Sequence, residues 1–107
     1  MNLILHYTPE VQVDIAEIGF YLAQRSRTVE DRFYKAVDHS IQFLLKAPRS
    51  GERRSYSNPE YADMRVWQVS GFSNYLIFYR ADETTLTMVR VMHGARDYDT
   101  MFNEDTP

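Results

Sequence analysis

The cationic side chains able to do chemistry in this 107-residue chain are mostly arginines: of its 12 lysines and arginines, only Lys35 and Lys46 are lysines. A guanidinium offers a planar fork of donors matched to carboxylate or phosphate, and it stays charged, so it binds and stabilises but takes no proton. Arg53 and Arg54 stand side by side and can grip a phosphate. Arg65, Arg80 and Arg96 follow, with His93 the one histidine near them. An imidazole flanked by those three arginines can in principle do acid–base work.

Each of these residues also has a plainer reading. Arg65 can brace a sheet edge against Asp63, Arg80 can pair with Asp97 or Glu83, and Arg96 with Asp97 can form a salt bridge that fixes the tail. Surface pairs of that kind add little stability. His93 continues the period-2 face of Val89 and Val91, which favours a packed, hydrogen-bonded imidazole. His6 and His39 have no carboxylate or histidine at ligand spacing, so no metal is expected, and no cofactor. Tyr75, Tyr79, Trp67, Phe72, Tyr98 and Phe102 exceed what so short a chain needs for its core, and aromatics beside arginines are typical interface anchors. Taken singly, each fits a half-buried strand position better.

The elements that must position these groups follow from periodicity and punctuation. Leu3, Leu5 and Tyr7 alternate with Ile4 and His6, which predicts a strand. Thr8-Pro9-Glu10 then supplies an N-cap, a first-turn proline and an acid at the positive end of a helix dipole. Val11, Ile15, Ile18 and Leu22 give that helix one apolar face. A second helix is expected from Thr28, with the stripe Phe33, Val37, Ile41 and Leu44, ending at Ala47-Pro48. Residues Arg49 to Asp63 read as a polar loop that exposes Arg49, Arg53 and Arg54. Strand-like runs follow at Met64–Val69, Tyr75–Arg80 and Leu86–His93, joined by hairpin-length links; the middle run is apolar throughout, as a central strand covered on both faces would be. Tyr98 to Phe102 reads either as a short helix that docks Met101 and Phe102 on the sheet or as a piece that reorders on binding. The predicted fold is α+β: an N-terminal strand, an α-helical hairpin, then a three-stranded antiparallel meander. One domain is expected over residues 1–102, with 103–107 a flexible tail.

Composition narrows the function classes. Apolar residues make up 44% of the chain, enough for one modest core, and no apolar run approaches the roughly 20 residues that span a bilayer. The N-terminus lacks the basic and apolar regions of a secretory signal, and the absence of cysteine suits a reducing cytoplasm. A net charge of −3 argues against nonspecific nucleic-acid binding by the whole surface.

Four local patterns, in order, resemble ParE-type toxins of the RelE/ParE superfamily. They are Asp14-Ile15-Ala16-Glu17-Ile18 with Tyr21-Leu22-Ala23; Leu44-Leu45-Lys46-Ala47-Pro48-Arg49-Ser50-Gly51; Met64-Arg65 leading to Asn74-Tyr75-Leu76-Ile77-Phe78-Tyr79-Arg80; and Val89-Arg90-Val91-Met92-His93-Gly94-Ala95-Arg96-Asp97. The last is the most specific. The resemblance implies a cytoplasmic bacterial toxin held inactive by a cognate antitoxin encoded beside it. Antitoxins of this kind usually join a DNA-binding part to a segment that wraps the toxin, and this chain, lacking a recognition helix, is not expected to bind operator DNA itself.

The superfamily holds two activities. RelE-like members cleave mRNA at the ribosome; ParE-like members poison DNA gyrase. RelE-like relatives usually work with clustered lysines and arginines and a C-terminal tyrosine, and they carry an arginine where this chain has Tyr75 at the start of the central strand. The ribonuclease reading would make Arg65, Arg80, His93 and Arg96 catalytic. The departure at Tyr75 and the acidic balance rank gyrase inhibition first, ribonuclease second, and a divergent member devoted to antitoxin binding third. Target or antitoxin binding is expected of Arg53, Arg54, Arg65, Trp67, Tyr75, Tyr79, Arg80, His93, Arg96 and Tyr98.

Overall fold

The computed structural model describes residues 2–103. Strand β1 (Ile4–Tyr7) passes through Thr8 into helix α1 (Pro9–Ala23). The Thr8 hydroxyl accepts from Val11 N at 3.0 Å, as an N-cap should, and also donates to the Val89 carbonyl at 2.8 Å. The start of the helix is thereby tied to a strand late in the chain. Helix α2 (Arg27–Lys46) begins just before the expected Thr28, because the Ser26 hydroxyl accepts from Val29 N at 3.3 Å and sets the cap there. Phe33, Val37, Ile41 and Leu44 are all buried, as their spacing predicts, and Ala47 closes the helix ahead of Pro48.

Strands β2 (Glu52–Arg54), β3 (Met64–Val69), β4 (Phe72–Ala81) and β5 (Thr85–His93) and helix α3 (Tyr98–Asn103) complete the domain. The sheet order is β1-β5-β4-β3-β2. The expected antiparallel meander is present as β3-β4-β5, but the sheet as a whole is mixed, since β1 lies parallel to β5. The expectation of an irregular segment from Arg49 to Asp63 is corrected: β2 pairs with β3, Glu52 opposite Val66 and Arg54 opposite Met64, and Pro59–Tyr61 makes one turn of 3-10 helix. Arg54 is accordingly half-buried rather than exposed.

Two apolar layers sandwich the sheet. Ile77, Tyr79, Leu86, Met88 and Val91 face the helical hairpin; Met64, Phe78, Val89 and Met92 face α3 and the segment around Tyr56. Strand β4 is covered on both faces, as its unbroken apolar run predicts. Strand β5 departs from simple alternation. Arg90 pairs with Phe78 and Met88 with Tyr79, so Val89 is an extra residue in a β-bulge. The bulge turns Val89 and Arg90 toward the same face and removes Val89 from the face that Val91 shares with His93.

Two tight turns close the meander. Gly71, at φ 76°, supplies the left-handed residue between β3 and β4. Asp82 accepts from Thr84 N at 2.9 Å and Thr85 N at 2.8 Å between β4 and β5, and those N–H groups hold its carboxyl below the usual range. Helix α3 is the docked helix that the sequence offered as one alternative. Phe102 is fully buried against Tyr56, Tyr61 and Phe78, with ring centroids at 5.0, 4.7 and 4.9 Å. Asn103, expected to fray, instead accepts from Ser57 N at 2.9 Å, and its carbonyl accepts from Ser57 Oγ at 3.1 Å. Residues 104–107 of the expected tail lie outside the described residues. No helix among the described residues is long and apolar enough to cross a membrane.

Candidate functional site

The expected site residues do not converge; the fold distributes them over separate surfaces. Tyr75, His93 and Arg96 come together in a cleft of about 490 Å³, between the C-terminal end of β5 and the α1 residues Glu17, Ile18 and Tyr21. His93 is exposed, which corrects the expectation of a packed imidazole. Its Nδ1 accepts from Ala95 N at 3.0 Å, and its ring meets Tyr75 edge-on at 5.2 Å. Arg96 makes no ion pair with Asp97 among the described residues. The Asp97 carboxylate instead accepts from Thr100 N at 3.3 Å, at the start of α3.

Arg54, Trp67 and Tyr98 line a second groove, of about 840 Å³, near the β2 margin of the sheet. Trp67 stacks on Phe43 of α2 at 5.2 Å, with the rings 14° from parallel. Arg53 projects into solvent and meets Asp63 at 3.8 Å, so Asp63 serves Arg53 and not Arg65. Arg65 Nη1 donates to the carbonyls of Arg49 at 3.2 Å and Gly51 at 2.9 Å, tying down the chain after α2. Arg80 pairs with neither Asp97 nor Glu83. Its Nη2 donates to the Glu60 carbonyl at 2.8 Å, on the opposite face of the sheet from Arg65.

Tyr79 is fully buried, which removes it from the expected binding surface. Its hydroxyl donates to the Pro48 carbonyl and accepts from Gly51 N, both at 2.8 Å. Burial pushes the phenol pKa up, so it stays a donor. A Cβ at Gly51 would stand 2.5 Å from that hydroxyl, so glycine is required for the approach. Tyr79→Phe should cost about 1–3 kcal/mol in urea unfolding, because it strands a buried N–H. An unchanged midpoint would show that the bridge adds nothing.

Sequence reasoning missed the pair that positions the cleft. Strand β1 runs beside β5 only as far as Tyr7 and Met88, leaving the β5 margin beyond without a strand neighbour. Asp14 of α1 takes that place. Its Oδ2 accepts from Val91 N at 3.0 Å, and Arg90 reaches it with Nε–Oδ2 at 2.7 Å and Nη2–Oδ1 at 2.9 Å. Both side chains are largely buried, and the Asp14 hydrogen bonds hold the Arg90 pKa above its ordinary value. The available signal was Asp14 itself, an acid on the apolar stripe of Val11, Ile15 and Ile18.

A helical hairpin on one face of a five-stranded mixed sheet, with a short helix on the other, is an α+β architecture. The sequence model for the ParE toxin of the type II toxin-antitoxin system, parDE, matches residues 5–98. The chain belongs to that toxin family. Among solved structures it resembles a chain of the chromosomal ParDE TA system from P. aeruginosa, with a TM-score of 0.65 and 13% identity over 85% of this chain and 95% of that one. At that identity the likeness speaks for the fold alone. No curated protein matches the sequence.

Proposed function

We propose that this toxin is a protein-directed inhibitor of DNA gyrase, kept silent in the bacterial cytoplasm by a cognate antitoxin that also carries the operator-binding function. The observation behind this reading is the separation of the groups that a ribonuclease would need to gather. His93 lies opposite Tyr75 and Arg80 opposite Thr87 on the β4-β5 ladder, so about 17 Å of strand divides them. Arg65 and Arg80 are engaged with backbone carbonyls on opposite faces of the sheet. General acid–base catalysis needs its groups within hydrogen-bond reach of one phosphate. The cleft of Tyr75, His93 and Arg96 instead combines aromatic surface with an exposed guanidinium that has no ion pair among the described residues, the composition that anchors protein interfaces.

The test adds purified protein to gyrase supercoiling of plasmid DNA and to ribosome-dependent cleavage of a reporter mRNA, with Arg96→Ala in parallel. The expected result is blocked supercoiling with accumulated cleaved DNA, intact mRNA, and inhibition weakened about tenfold or more by the substitution. Cut mRNA with supercoiling untouched would overturn the proposal and make Arg65, Arg80, His93 and Arg96 the residues to pursue as catalytic.

A further inference from the structure

Two exposed arginines, Arg25 and Arg32, are held against aromatic rings rather than acids. Arg25 Cζ lies 5.6 Å from the centre of the Tyr21 ring, and Arg32 Cζ lies 5.8 Å from that of Phe72. Neither guanidinium makes an ion pair among the described residues. A guanidinium laid on a ring is oriented without using its N–H donors, which stay open to a ligand. The rings place both arginines at the end of the sheet where the cleft opens. Tyr21 lines the cleft itself. Phe72 connects to it through buried Phe33, whose ring meets Phe72 at 5.5 Å and Tyr75 at 5.4 Å, and Tyr75 in turn meets His93 at 5.2 Å. Arg25, Arg32 and the cleft residue Arg96 are thus joined by one set of packed rings.

Charge selects what meets this rim. The chain carries a net charge of −3, so a polyanion is repelled by most of it and received only where cations stand clear of acids. Of the acids that line the cleft, Asp14 is taken up by Arg90, which leaves Glu17. Glu30, at the start of α2, accepts from the Tyr34 hydroxyl at 3.3 Å. A phosphodiester offers paired oxygens that fit a guanidinium fork, and bases unpaired at a break can lie against an exposed ring. Tyr21, 53% exposed, presents such a ring. We propose that Arg25 and Arg32 hold the phosphate backbone of the DNA bound to gyrase, while the cleft of Tyr75, His93 and Arg96 engages the enzyme itself. This rests on the reading that gyrase is the target. Phosphate contacts carry no sequence information, so the grip is indifferent to sequence and distinct from operator recognition.

The experiment measures the Kd of the chain for gyrase alone and for gyrase loaded with a duplex DNA, over a range of salt concentrations. Wild type is compared with the double variants Arg25→Gln with Arg32→Gln and Arg25→Lys with Arg32→Lys, and with Arg49→Gln as a control. Both arginines of the rim are exposed, so the variants should keep the wild-type circular dichroism and Tm. Wild type should bind the loaded enzyme about tenfold more tightly than the bare one, and the advantage should shrink as salt rises. The glutamine pair should lose that advantage, lower the log–log salt slope by about 2, and leave binding to bare gyrase unchanged. The lysine pair should keep most of the slope, and Arg49→Gln should match wild type. Equal wild-type affinity for bare and loaded gyrase would overturn the DNA contact and leave the gyrase reading standing. Failure to bind either form would overturn both. A glutamine pair that weakens binding to bare gyrase as much as to loaded gyrase would assign the rim to an acidic surface of the enzyme and overturn the DNA contact.

Discussion

Asp14→Ala should destabilise the domain by about 3–5 kcal/mol, the usual consequence of leaving one member of a buried ion pair alone. The substitution takes both hydrogen bonds from the Arg90 guanidinium and one from Val91 N. Among the described residues no other carboxylate is bonded to Arg90, whose Nη1 also donates to the Met101 sulfur at 3.5 Å. In thermal unfolding the loss should appear as a fall in Tm of roughly 12 °C or more. The double variant Asp14→Leu with Arg90→Met should recover much of it, since no charge is then stranded, although Val91 N still lacks its acceptor. A single variant within about 1 kcal/mol of wild type by urea unfolding would mean that the margin of β5 is held by packing alone.

Phe102→Ala should rank beside it, at about 3–5 kcal/mol, as a buried aromatic truncated among three other rings. The helix that carries it is only six residues long, too short to persist without its anchor. Its remaining ties include the Tyr56 hydroxyl to Asp99 at 3.1 Å, the Ser57 bonds to Asn103, Arg90 to the Met101 sulfur at 3.5 Å and the Tyr98 ring against Phe78 at 5.0 Å. Hydrogen exchange should therefore lose protection first over residues 98–103, and a hydrophobic dye should bind the uncovered surface of Phe78, Tyr56 and Tyr61. Retained protection across α3 in this variant would show that the polar ties suffice and that Phe102 is dispensable.

The parts of the fold legible in the sequence are those where one residue pattern serves one environment. The α2 stripe is such a case, because a single face of that helix meets the sheet. Thr8-Pro9 marked the helix start for the same reason: a cap is a local device. Strand β2 was hidden because Glu52, Arg53 and Arg54 alternate nothing; their strand conformation comes from pairing with Met64–Val66, which no local pattern records. The bulge at Val89 was equally silent, since Val-Arg-Val looks like regular alternation until a partner strand imposes the count. Of the expected site residues, Tyr75, His93 and Arg96 share a cleft because they lie near one end of the sheet. Tyr79, Arg65 and Arg80 lie away from that cleft, their polar groups engaged with backbone atoms that only the folded chain brings near. The Asp14 and Arg90 pair spans 76 positions, beyond any local reading.

Strand β2 has a consequence for how the molecule meets others. Three consecutive charged residues form a short outer margin at one side of the sheet, and β1 at the other side is only four residues long. Brief, charged margins are poor templates for a stranger's backbone. The sheet thus discourages indiscriminate stitching of one molecule to the next. In this chain resistance to clumping rests with two of its shortest strands, β1 and β2.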